Sequence, residues 1–304
     1  MNKRHCQLLL ALLLTACSAV EPPAPAGDAA ERGAAGGVVR VVAAGDIADC
    51  GTAPAASSMA SQTAALVGAT DAAVLTLGDH VYPDGAPDEF ARCFDPTWGR
   101  FRQRQRPSPG NHDYRTPGAA GYYAYFGDLA GPDRRGYYSF DLGHWHFISL
   151  NSAVDAGPGS AQLRWLVEDL KASAGARCTL AYWHHPVFSS GPHGNDARMK
   201  DVYAALYAAG ADIVLSGHDH VYERFAPLDA SGTPDPLRGI RSFTVGTGGA
   251  RLYRFKAPHP ASEYRDASTH GVLRLTLGDG WYMWEFQPVG GGPARDRAMA
   301  ACHR

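Results

Sequence analysis

No two cysteines in this chain stand at CxxC spacing, which excludes a compact zinc cage built from paired thiolates. Charge of one sign is not in excess either. The formal net charge is −2, and it becomes about −4 once Lys3 and Arg4 are removed with a leader. That leaves no electrostatic footprint for nucleic acid. Long apolar runs are missing: "QLLLALLLTA" is too short to span a bilayer comfortably. No internal repeat is evident, so a stacked-repeat architecture is excluded. Charged residues make up a modest 19%, but 45% is hydrophobic, enough to fill a core and too much for a disordered chain.

What is present begins with a leader. "MNKR" is a short basic region, the apolar stretch follows it, and "LTAC" (Leu14 to Cys17) resembles a bacterial lipobox. Residues 1–17 are therefore expected to form a lipoprotein-type signal peptide, with cleavage leaving a lipid on Cys17. Residues 18–37 are rich in Ala, Pro and Gly and read as a tether. Residues 38–304 show no composition shift and are expected to form one domain. The chain is thus expected to be exported to a bacterial cell envelope and held at the outer membrane through Cys17.

Along that domain, apolar β-branched runs alternate with helical patterns. "VVRVVAAGD", "AAVLTLGD", "CTLAYWHHP" and "ADIVLSGHDH" read as buried strands that break at Gly or His. "SSMASQTAALVG", "SAQLRWLVEDLKAS" and "DARMKDVYAALYAAG" read as helices, the first with a serine cap and the last with a glycine stop. "PDEFARCFDPTWGRF" suggests a helix opening after a proline, and "GAAGYYAYF" a short one. "RPSPGNHDY" is a short extended piece. "GYYSFDLGHWHFISLNS" and "GVLRLTLGDGWYMWEF" read as hairpins, with "IRSFTVGTGG" a further strand.

Polar groups gather where these strands end: "GDIADC", "GDHVY", "GNHDY", "WHHP" and "GHDHVYER". In open α/β sheets ligands collect outside the carboxyl ends of strands. Glycine before Asp46, Asp79, Asn111 and His218 lets the backbone turn sharply at a ligand. Turns alone do not explain five clusters that pool Asp, Asn, His and Tyr.

These motifs resemble those of the calcineurin-like metallophosphoesterase superfamily, from Val38 to about Val289, with G-N-H-D and G-H-D-H the most specific. The first motif lacks the family histidine, reading Asp46-Ile47-Ala48, and the second gains Tyr82. That combination resembles the purple acid phosphatase branch, although Ala48 stands where that branch has glycine. The resemblance implies an α/β fold, a four-layer α/β/β/α sandwich with a dinuclear metal site at the strand ends. It implies Asp46, Asp79, Tyr82 and His220 on a first ion, and Asp79, Asn111, His184 and His218 on a second, with Asp79 bridging. His184 is preferred to His185 because it begins H-x-P. His112 is implied as a proton donor or substrate clamp, and His193 as a substrate-facing histidine.

The chemistry of the implied donors is consistent. Two carboxylates and a phenolate form a hard anionic set suited to Fe(III), while the neutral Asn and His ligands suit divalent Fe, Zn or Mn. A bound cation stabilises a phenolate whose free pKa is about 10. The implied reaction is hydrolysis of a small phosphate monoester by a metal-activated hydroxide. Alternatives are a phosphodiesterase or nucleotide hydrolase on the same site, and a surface-binding lipoprotein without turnover.

The remaining residues carry blander expectations. Asp113 is expected to orient His112, Asp49 to lie at the surface or cap a turn, and His185 to stand behind the ligands or pack. His80, inside the second motif, is weighed as a residue that could reach the pocket, and that reading is not the favoured one. His144 and His146 are expected to be structural or exposed, and Arg100, Arg102, Arg104 and Arg106 to form a solvated edge. Cys50, Cys93, Cys178 and Cys302 remain after leader loss and permit three pairings. Cys50–Cys93 with Cys178–Cys302 is favoured: the first joins segments near the site and the second pins the C-terminal tail.

Overall fold

A computed structural model describes residues 37–51 and 53–303. The expected leader, the lipidated Cys17 and all but the last residue of the tether lie outside the described residues. Two mixed sheets form the centre. One runs in the order Arg295–Ala301, Trp281–Pro288, Gly271–Gly278, Val39–Ala44, Ala73–Leu77, Gln105–Ser108. The other runs Ser262–Asp266, Tyr222–Leu228, Ile240–Val245, Ile213–Ser216, Cys178–Tyr182, Trp145–Ser149, Tyr138–Leu142.

Strand periodicity decides the layers, because successive side chains face opposite sides. In Cys178–Tyr182, Leu180 and Tyr182 join the core between the sheets. Ala181 between them joins a second core under the helices. Ile213 and Leu215 against Val214, and Phe147 against Ile148, repeat the division. Helices Ala161–Ala172 and Lys200–Ala209 cover that outer face through Leu166, Val202, Tyr203 and Leu206. Helix Met59–Gly68 packs Ala60, Ala64 and Val67 on the first sheet. The expected α/β/β/α sandwich is what results.

Local signals behaved as their chemistry requires. Ser58 and Ser160 cap their helices, each hydroxyl accepting from the backbone N–H of Ser61 and Leu163. Gly210 closes Lys200–Ala209 at φ 77°, in the left-handed region. The helix expected from Pro87 onward is three short pieces instead: Pro87–Glu89, a π turn at Phe90–Phe94 and a 3₁₀ stretch at Trp98–Arg104. Pro96 lacks the N–H that a continuous helix needs. The aromatic rings of Phe90, Phe94 and Trp98 are nevertheless all buried.

The arginine row is not a solvated edge. Arg100, Arg102 and Arg104 lie in the 3₁₀ stretch and Arg106 alone on the edge strand Gln105–Ser108; Arg102 donates to the carbonyls of Tyr125 and Phe126, and Arg104 to those of Thr70 and Ala72. Both cysteine pairs form as favoured, with Cα separations of 5.6 Å for Cys50–Cys93 and 5.8 Å for Cys178–Cys302.

His146 is structural. Its Nδ1 lies 2.7 Å from Asp141 and its Nε2 2.9 Å from Asp169 on the covering helix. Burial works against its charge, but hydrogen bonds to Asp169 and Asp141 outweigh burial and raise its pKa above 6.5. The stabilisation is therefore complete below the unfolded value and is lost as pH rises through the folded one. His146→Gln should destabilise by about 1–3 kcal/mol near pH 5.5. The difference should shrink at alkaline pH in urea titrations.

Candidate metal centre

Each sequence cluster sits just past the carboxyl end of a strand. Asp46 follows Val39–Ala44, Asp79 follows Ala73–Leu77 and Asn111 follows Gln105–Ser108 on the first sheet. His184 follows Cys178–Tyr182 and His218 follows Ile213–Ser216 on the second. His220 precedes the outgoing strand Tyr222–Leu228. A two-residue parallel pairing of Ala48–Asp49 with Val81–Tyr82 brings Tyr82 back over Asp46.

Close approach, rather than turn geometry alone, fixes two glycines. A Cβ on Gly217 would lie 2.6 Å from Asp46 Oδ2, and one on Gly110 would lie 2.2 Å from Asp79 Oδ1. Asp46, Asp79 and His218 themselves have φ of 60°, 52° and 70°. Non-glycine residues reach this region at a cost of order 1–3 kcal/mol each, usually at functional sites.

The polar atoms converge. The Tyr82 hydroxyl is 2.8 Å from Asp46 Oδ1, 3.1 Å from Asp79 Oδ2 and 3.1 Å from His220 Nε2. His184 Nε2 is 3.2 Å from Asp79 Oδ2 and 3.2 Å from Asn111 Oδ1. The backbone N–H of His218 donates to Asp46, and that of His112 to Asp79. Ligand atoms of Asp46, Asp79 and His184 all lie within 4.8 Å of one another, as do those of His184, His185 and His218.

The tautomers reveal what this arrangement lacks. His184 Nδ1–H donates to the Leu77 carbonyl at 2.8 Å, and His220 Nδ1–H to the Arg251 carbonyl at 2.7 Å. In the neutral rings both Nε2 lone pairs then face carboxylate oxygens. Asp46 and Asp79 are 0% and 1% exposed, and among the described residues their ion-pair partners are histidines, with no Arg or Lys. Lone pairs opposed at about 3 Å in a dry site need a proton or a cation between them. The donor set therefore fits a metal ion, and backbone carbonyls hold both rings as ligating imidazoles are commonly held.

Without a cation, protons do that work. Burial opposes the charge on His184, but Asp79 outweighs it and lifts the pKa to about 9. Burial likewise opposes ionisation of Asp46 and Asp79, yet His220 and His184 respectively hold their carboxyls below the usual range. Burial, then the two carboxylates, push the Tyr82 phenol well above 10. Burial, with His184 and His193, lowers His218 to about 3.

His112 and His193 stand at the mouth. His112 donates from Nδ1 to the Pro83 carbonyl at 2.5 Å and packs on the Tyr82 ring. His193 places its ring 4.2 Å from that of His218, with Nδ1 2.9 Å from Asp219. His80 is not in the pocket: it is fully buried among Phe94, Tyr122 and Phe126. Nor does Asp113 orient His112. It accepts from the backbone N–H groups of Asp79, His80 and Gly110, and so braces the Asp79 turn. Two contributors were missed: Tyr253, stacked on His220 at 4.0 Å and 7°, and Asp219 under His193. Tyr253 lies in "GARLYRF", which carries no motif, whereas Asp219 was visible between two singled-out histidines.

A family model for the calcineurin-like phosphoesterases matches residues 35–222, and the chain belongs to that family. It is similar to purple acid phosphatase 18 of Arabidopsis thaliana, 36% identical over 149 residues, or 46% of this chain and 34% of the relative. It is also similar to human acid phosphatase type 7, 28% identical over 184 residues, or 51% of this chain and 41% of the relative. The chain thus spans about a third of the length of the Arabidopsis relative. In fold it resembles the purple acid phosphatase PPD1 of yellow lupin seeds, with a TM-score of 0.74 at 19% identity over 88% of this chain and 54% of that one. It also resembles GAP50, the anchor in the inner membrane complex of Plasmodium, with a TM-score of 0.63 at 15% identity over 88% and 90%.

The close packing of Gly217 generates a prediction. Gly217→Ala should keep the circular-dichroism spectrum of the parent yet lower bound metal by about tenfold or more, since the added methyl displaces Asp46. Metal analysis after dialysis checks this.

Proposed function

We propose that the chain is an exported phosphatase of the purple acid phosphatase kind, acting on phosphate monoesters. The observation that carries this reading is the Tyr82 hydroxyl, met within 3.1 Å by Asp46, Asp79 and His220 from three separate motifs. Asp46, Asp79, Tyr82 and His220 would hold one cation, with Fe(III) the hard ion that this set suits. Asp79, Asn111, His184 and His218 would hold a divalent Fe, Zn or Mn. When bound, the pair would supply positive charge for a phosphoryl group and a water of lowered pKa.

The chain's own residues do the rest. Pro83 occupies His112 Nδ1 and Asp219 occupies His193 Nδ1, so each ring keeps Nε2 for the substrate. A histidine so placed can hydrogen-bond a phosphoryl oxygen or hold the proton that the leaving alkoxide takes.

Export is supported by the two disulfides, which persist in oxidising compartments. No helix among the described residues is long and apolar enough to cross a membrane. Attachment would instead come from a lipid on Cys17, in the lipobox-like "LTAC".

His112→Ala should lower kcat by about 10²- to 10⁴-fold with metal content unchanged. Loss of metal in that variant would make His112 a structural residue. p-Nitrophenyl phosphate should be cleaved in preference to its bis-ester, the reverse order marking a diesterase. Iron-loaded protein should show a visible phenolate-to-iron band that Tyr82→Phe abolishes. A colourless, active iron protein would remove Tyr82 from the ligand set.

A further inference from the structure

His185 does not behave as a packing residue. It is 2% exposed, yet among the described residues its Nε2 makes no hydrogen bond. A ring this enclosed, with one nitrogen not engaged by the described residues, offers that nitrogen to a ligand. Its ring stands 4.4 Å from that of His218 and 4.9 Å from that of His184. Each of these residues offers a ligand atom within 4.8 Å of the other two. The His218 ring nitrogens likewise make no hydrogen bond among the described residues.

The orientation of the ring is held, not accidental. Ser152 Oγ accepts from the His185 backbone N–H at 3.1 Å and lies 2.8 Å from its Nδ1. One hydroxyl thus grips the residue at two points. In the tautomer whose Nδ1–H donates to Ser152, Nε2 carries the lone pair. Ligating imidazoles are oriented in this way, through the nitrogen that does not bind the metal. Adjacent side chains in an extended strand would face opposite sides, but Cys178–Tyr182 has already ended, so His184 and His185 can share one site.

We propose that His185 is a third imidazole ligand of the divalent cation held by His184 and His218. The inference rests on the two-cation reading above and deepens it. Three imidazoles make that site nitrogen-rich, which favours zinc over manganese. The first cation keeps its oxygen donors, so the two positions differ more sharply than the family motifs alone imply.

The test uses holoprotein with isotopically labelled histidine nitrogens, loaded with a spin-active cadmium isotope. Scalar coupling to cadmium is expected at a ring nitrogen of His184, of His218 and of His185. His185→Gln should lose its own coupling and bind the divalent ion about 10- to 100-fold more weakly in chelator competition. Ser152→Ala should keep the His185 coupling with weaker binding, because the ring is freed but still present. Coupling at His184 and His218 without coupling at His185 would overturn this proposal alone. Absence of coupling at all three would overturn the two-cation reading with it.

Discussion

Two carboxylates, Asp46 and Asp79, are buried against one another with imidazole and phenol groups in place of arginine or lysine. Everything else in the structure serves that constraint. Buried like charges repel strongly in low dielectric, so they persist only where something positive is fixed between them. The parallel strands deliver the two aspartates side by side, the paired turns swing Tyr82 over them, and the second sheet brings in the histidines. The left-handed backbone at both aspartates is part of the cost of that arrangement.

The segment between the second sheet's strands has a double role. His218 and His220 face the site, while Asp219 and Glu223 from the same stretch turn away and anchor a loop. Asp219 holds Ser189 and His193, and Glu223 holds Ser190 and Ser262. The loop that carries His193 is therefore fastened to the same segment that carries His218 and His220. Positioning to within fractions of an ångström, which oriented catalysis requires, is obtained through buried hydrogen bonds rather than through the loop's own rigidity.

Much of this was legible before the structure. Glycine followed by a polar residue at the end of an apolar run marks a strand that stops at a ligand, so Asp46, Asp79, Asn111 and His218 stood out. Burial of every residue in Cys178–Tyr182 and Ile213–Ser216, and the serine caps, follow from local chemistry. Edge strands did not announce themselves: Ser262–Asp266 is polar, Arg295–Ala301 is largely exposed, and each leans on one neighbour. Roles set by long-range contact were equally hidden. Nothing in "NHDY" says that Asp113 faces the backbone of residues 79 and 80, and nothing in "NSA" says that Ser152 meets His185.

The central claim is that these scattered side chains meet on a pair of cations that the reaction needs. It is tested most directly by following metal content and phosphate-ester hydrolysis on the same sample through chelation and stepwise metal return. The account predicts two cations per chain, with hydrolysis disappearing and returning in step with them. A metal-free chain that retains full hydrolytic activity would contradict it.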